Sequence, residues 1–224
     1  MRICGLYIEV KNHTEETIKE ALENIYGQFS KVYEKWNKEI KELNLLFRSV
    51  SYCENGIILW DQELALDIMT KQSQEAINNI YNAFDHPSCM LAFMHFDSGD
   101  SFGFSYIVKN EIIRFRYNLS NEIGHKEYGT PLEEEKIILD GKFYEIDDGE
   151  KLYKRLDDIE NPRSYHFICS ELANEVMRVK IGYDMNSDEI NANYKIFTFR
   201  QEDEKSNVEK ENIFTRLKKL LKGK

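Results

Sequence analysis

The sequence predicts an α+β fold: an antiparallel or mixed sheet with amphipathic helices packed on it, in one compact domain over residues 1–224. Three observations carry this. Strand-length apolar runs at 90–96, 102–108 and 112–117 follow one another, parted by Asp97-Ser98-Gly99-Asp100 and Lys109-Asn110-Glu111, as in an antiparallel meander. Ile18, Ala21, Leu22, Ile25 and Tyr26, and later Ala76, Ile77, Ile80, Tyr81 and Phe84, keep the spacing of a helix face. Asn55-Gly56 between the β-rich runs 45–52 and 56–60 is a strong hairpin signal, because both residue types accept positive φ.

In chain order, residues 3–10 read as an opening strand, and Asn12 to Glu16 start a helix with acid in its first turn. Past Gly27, the apolar residues Phe29, Val32, Tyr33, Trp36, Ile40 and Leu43 predict a second amphipathic helix, or one long helix broken at Gly27. The hairpin and the helix ending at Asp85-His86-Pro87-Ser88 complete an N-terminal half, residues 1–88. The second half, 89–224, holds the meander, an acidic segment, a helix running to Ile181-Gly182, a last strand at 194–199 and a terminal helix. Ser206 and Glu209 form the capping box of that helix, and Ile213, Phe214, Leu217, Leu220 and Leu221 share one of its faces.

Strand alternation places Phe102, Phe104 and Tyr106 on one side of the meander and Gly103, Ser105 and Ile107 on the other. The aromatic side is expected to pack against the helix of 18–26 or of 77–84. The other side is expected to leave a shallow strip beside the Asp97–Asp100 turn for any bound ligand.

Composition narrows the function. Thirteen Tyr and thirteen Phe among 224 residues give a chain able to fill a core, and only three Pro interrupt it. Forty acids against thirty Lys and Arg, a formal charge of −10, disfavour general nucleic-acid binding. No run approaches the ~20 apolar residues of a transmembrane helix, and the N-terminal apolar stretch is too short for a secretory signal. Cys4, Cys53, Cys89 and Cys169 are scattered without a CxxC pair, which fits reduced thiols in a cytoplasmic protein. The phosphate-loop, dinucleotide, nucleophile-elbow and HExxH motifs are absent, and no cofactor is expected.

Three groups of residues are candidates for chemistry. His95, Asp97 and Asp100 could converge at a strand end as an N/O ligand set for a divalent ion, although Asp-Ser-Gly-Asp is equally the composition of a tight turn. Cys169, if it opens a helix, sits where unpaired N–H groups and the helix dipole favour a thiolate, with His166 nearby as a base. Between Glu133 and Glu160 eleven acids stand against five bases. Glu133, Glu134, Glu135, Asp147, Asp148, Asp157 and Asp158 are the expected binding residues of an acidic surface.

Two resemblances add to this. Cys169-Ser170-Glu171-Leu172 resembles the nucleophile segment of permuted papain-like amidases, which implies a thiol nucleophile at Cys169. Phe102 and Phe104 stand where that family has its His, so His95, His125 or His166 would have to substitute. The segment from Phe93 to Phe104, with Arg114, Gly129-Thr130-Pro131-Leu132-Glu133, His166 and Gly182-Tyr183, resembles an uncharacterised bacterial family over residues 89–184. That resemblance implies an α+β fold and a bacterial origin but no reaction.

The leading expectation is therefore a non-enzymatic, immunity-like binding protein that sets an acidic surface against a basic protein partner. A thiol-dependent hydrolase centred on Cys169 and a metal-dependent activity at His95, Asp97 and Asp100 are the alternatives.

Overall fold

The computed structural model describes residues 2–11, 13–36, 40, 46–96, 101–119, 125–146, 149, 151–165, 168–184 and 193–200. Its first half runs β1 (Arg2–Glu9), α1 (Glu15–Tyr26), β2 (Phe29–Tyr33), β3 (Leu46–Cys53), β4 (Gly56–Trp60), α2 (Gln62–Lys71) and α3 (Gln74–Ala83). The second half runs β5 (Cys89–Phe96), β6 (Ser101–Val108), β7 (Glu111–Asn118), β8 (Lys126–Tyr128), α4 (Glu133–Leu139), β9 (Lys142–Glu145), β10 (Lys151–Lys154), β11 (Arg163–Ser164), α5 (Ile168–Ile181) and β12 (Tyr194–Phe199).

β1 lies in the middle of an antiparallel nine-stranded sheet of order β2-β12-β3-β4-β1-β5-β6-β7-β8; β9, β10 and β11 make a second, small sheet. The central strands β1 and β5 are nearly continuous apolar runs because helices cover both faces of the large sheet, and alternation then sends successive residues into two different cores. Leu6, Ile8, Met90, Ala92 and Met94 pack with α1, α2 and α3 on one face. Ile3, Tyr7, Leu91 and Phe93 pack with α4, α5 and Tyr153 of the small sheet on the other. The whole is one compact α+β domain, and no helix among the described residues is long and apolar enough to cross a membrane.

α1 starts where the acid-rich turn predicts it, with Thr14 and Thr17 exchanging a capping box. α3 and β12 also lie where the sequence places them. Residues 29–33, expected as helix, form the edge strand β2 instead, paired to β12 from Ile196↔Tyr33 to Phe199↔Phe29. Five residues are too few for the period to separate a helix from a strand, and the open edge of β12 decides. α2 was not expected. Asp61 caps it at Leu64 N (3.1 Å), and Ala65, Ile68 and Met69 are its buried face.

The hairpin between β3 and β4 forms, but for a different reason from the one the sequence suggests. Glu54 and Asn55 are its two turn residues, with Cys53 opposite Gly56, and neither Asn55 nor Gly56 has positive φ. Gly56 is required by crowding: a Cβ there would lie 2.2 Å from the Ile8 carbonyl oxygen. Positive φ at a hairpin is found instead at Lys109 and Asn110, φ 49° and 60°, which turn β6 into β7.

The meander pairs as expected, with Phe93↔Phe104 and Phe104↔Arg116 in register. Phe102, Phe104 and the partly buried Tyr106 do share a side, but α5 covers it, not α1 or α3. Among the described residues the opposite side holds no shallow strip. Ile107, Phe115 and Tyr117 are buried there with Met90, Ala92 and Met94, and a Cβ on Gly103 would lie 2.3 Å from the Tyr117 Cβ. The Asp97–Asp100 turn and the terminal helix fall outside the described residues.

Phe104 is fully buried between the sheet and α5. Phe104→Ala is expected to lower unfolding free energy by roughly 3–5 kcal/mol in urea melts; a loss below about 1 kcal/mol would mean that this core is not packed as described.

Candidate functional site

The face of the sheet beneath α5 carries polar side chains in an otherwise dry core. Arg114 and Arg116 alternate along β7 toward α4 and α5, and both are at least nine-tenths buried. Arg114 donates from Nε to Glu135 Oε2 (2.9 Å) and from Nη2 to Glu135 Oε1 (2.7 Å), a bidentate pair with both partners removed from water. Its remaining N–H groups reach Glu127 (2.9 Å) and the carbonyls of Tyr128 (3.2 Å) and Gly129 (3.0 Å). Glu135 in turn accepts from Leu132 N at 2.8 Å, so one carboxylate caps α4 and holds it to β7.

Arg116 donates to Glu127 (3.0 Å), and its Nη2 lies 3.5 Å from His125 Nδ1. Its Nε is buried without a hydrogen-bond acceptor. Burial alone would raise the Glu127 carboxyl, but hydrogen bonds from Arg114 and His125 and the nearby arginine charges bring it below its ordinary value.

Cys169 opens the first turn of α5, as the amidase resemblance requires, and is 5% exposed. Burial pushes its thiol pKa up; the Arg116 guanidinium beside it opposes that shift without reversing it, so at neutral pH the side chain is a thiol. His95 is directed to the same helix end, but its Nδ1 lies 3.4 Å from Ser170 Oγ and its ring stands edge-on to Phe102 at 4.8 Å. Asp97, Asp100 and His166 lie outside the described residues. Among the described residues no group of three or more His, Cys, Asp or Glu side chains is placed to hold a metal ion.

The acidic segment divides in two. Glu135 is fully buried in the arginine pair, and Glu134 reaches Lys180 of α5 at 2.6 Å. Glu133 remains open to solvent beside Lys136. Arg155 grips Asp157 with two hydrogen bonds (2.8 and 2.9 Å) and reaches Glu175 of α5 at 3.1 Å, while Arg163 binds Glu171 (3.0 Å) and lies 3.5 Å from Asp158. Asp147 and Asp148 lie outside the described residues. Burial would raise the Glu175 carboxyl, yet hydrogen bonds from Arg178 and Arg155, with their charges, carry it below its ordinary value.

Around these clamps apolar side chains face water. Leu156 and Ile159 are 57% and 60% exposed, with Phe143 of β9 and Tyr165 beyond β11 also open. A cavity of about 520 Å³ lies beside Phe143 and Tyr165, lined by residues that also include Arg116, Tyr144, Lys151 and Ile168.

Sequence reasoning singled out the acids and missed their partners. Two arginines at alternate positions of a buried strand were the available signal for Arg114 and Arg116. Nothing local announces the ties from Arg155 and Arg163 to Glu171 and Glu175, which join residues 155–163 to α5. Comparison with family models, curated proteins and solved structures finds no match to the chain.

Two outcomes follow from the titrations. Cys169 is expected to resist iodoacetamide at neutral pH in the native protein and to react on unfolding; rapid native labelling of this cysteine would contradict its burial. Because the Glu127 and Glu175 carboxyls are lowered by folding, their contribution to stability is complete above the ordinary glutamate range and disappears as pH falls through their folded values. The urea midpoint should therefore drop on acidification below that range, and Glu175→Gln should flatten this acid limb. An unchanged limb would mean that the Glu175 clamp is not formed.

Proposed function

We propose that this chain is a non-enzymatic binding protein that presents the face formed by β9 to β11 and residues 155–165 to a basic protein partner. The observation that carries the reading is the exposure of Leu156 and Ile159, 57% and 60%, in a chain segment whose Phe143 and Tyr165 are also exposed and which overlaps the acid-rich stretch from Glu133 to Glu160. Several large apolar side chains left in water within one segment favour a recognition surface. The acids of this stretch set the sign of the partner: Asp140, Glu145 and Glu160 are exposed, and Asp157, though held by Arg155, is exposed as well.

Such a surface works only if it is held still. The Arg155 and Arg163 contacts to Glu171 and Glu175 tie residues 155–163 to α5, which lowers the conformational freedom lost on binding. A hydrolase centred on Cys169 has less support, because the thiol is buried and protonated at neutral pH.

The test is capture of protein from a bacterial lysate by the immobilised full chain, with Leu156→Ser/Ile159→Ser in parallel. A basic protein retained by the parent chain should be lost with the double variant. It should also elute as salt rises from about 0.05 M to 1 M, where the Debye length falls to roughly 3 Å. Retention indifferent to both the substitutions and the salt would overturn the reading.

A further inference from the structure

We propose that the cavity beneath the small sheet is a binding site for an organic carboxylate with a flat aromatic body, a site that shares Phe143 and Tyr165 with the protein-binding face inferred above but includes neither Leu156 nor Ile159. The argument begins with Arg116. It is 5% exposed, it lines the cavity, and its Nε–H has no oxygen or nitrogen acceptor: Nη1 is committed to Glu127, and the Cys169 thiol beside the guanidinium is only a weak acceptor. A buried donor without a partner is unfavourable, and most buried polar groups in folded proteins avoid that state. A ligand oxygen would supply the acceptor, and a charged oxygen would bind the guanidinium more strongly than a neutral one.

Two further features favour a negative group at the same end. Ile168, which also lines the cavity, is the first residue of the fourteen-residue α5, whose first-turn N–H groups and dipole attract anions. The charged lining is Arg116 and Lys151 against Glu145, an excess of positive charge in a chain whose formal charge is −10. Glu171, the acid in the first turn of α5, is already held by Arg163 and Arg155.

The rest of the lining defines the body of the ligand. Phe143, Tyr144 and Tyr165 contribute rings and Leu139 and Leu152 aliphatic surface, with Phe143 and Tyr165 meeting edge to face at 5.7 Å. Phe143 and Tyr165 remain 44% and 37% exposed, so a flat apolar body laid against them would remove aromatic surface from water. The volume of about 520 Å³ falls within the usual range for small-molecule sites. One unpaired guanidinium N–H beside a mainly apolar wall suits a monocarboxylate better than a phosphate, which would bring more charge and no surface for the rings.

The full chain would be titrated by calorimetry with 2-naphthoate, its neutral counterpart 2-naphthamide and inorganic phosphate. We expect saturable 2-naphthoate binding with a Kd of about 1 mM or tighter, and binding of the amide and of phosphate at least about tenfold weaker. Arg116→Gln should abolish the preference for the acid over the amide. Because that change also removes an ion pair, Leu152→Trp provides the second arm: it fills the cavity while leaving every charged pair in place, and it should weaken 2-naphthoate at least about tenfold. The proposal is overturned if 2-naphthoate does not bind, if amide or phosphate binds as tightly, or if Leu152→Trp leaves its affinity unchanged. Leu156→Ser/Ile159→Ser changes no residue that lines the cavity, so 2-naphthoate binding should be unaltered in that variant while capture of a protein partner is lost, which keeps the two readings distinguishable.

Discussion

The buried pair between Arg114 and Glu135 is the constraint around which the second half of the molecule is arranged. Two charges removed from water are tolerable only if each meets a matched partner and the remaining hydrogen-bonding positions are filled. Here they are filled from three directions: Glu135 from α4, Glu127 and the Tyr128 carbonyl from β8, and the Gly129 carbonyl from the turn that follows. A guanidinium that demands this many acceptors leaves little freedom in where β8 and α4 can lie. That in turn fixes the approach of α4 to α5, through Glu134 and Lys180, and the seat of the small sheet.

Much of this architecture could be read from the chain, because it rests on local periodicity. The meander, α1, α3 and β12 each have a pattern long enough to be decided by their own residues. β2 does not: Phe29 to Tyr33 are too few, and their state is set by Ile196 to Phe199, more than a hundred and sixty residues away. Which helix covers which face was equally illegible. Phe102 and Phe104 require an apolar cover but do not name it, and the partner, Leu172 to Met177, lies beyond the small sheet in the chain.

The candidate site was legible in its acids and not in their arrangement. Glu133, Glu134 and Glu135 are adjacent in sequence, yet one is in solvent, one reaches α5, and one is the deepest carboxylate of the pair. Counting charges along the chain cannot separate them, because burial depends on where α4 docks. Cys169 shows the same limit from the other side. Its place at a helix start was visible in the sequence, while the burial that keeps its thiol protonated belongs to the packing of α5 on the sheet. What remains outside the clamps, Leu156, Ile159 and the unburied acids, is the surface on which the proposed function rests.

A double-mutant cycle on Arg114→Met and Glu135→Leu, followed by urea unfolding, tests the central claim most directly. Each single change strands a buried charge and should cost roughly 3–5 kcal/mol, while the double change replaces the pair with apolar groups and should cost far less than the sum. Single losses below about 1 kcal/mol that simply add in the double variant would show that the pair does not organise this half of the fold.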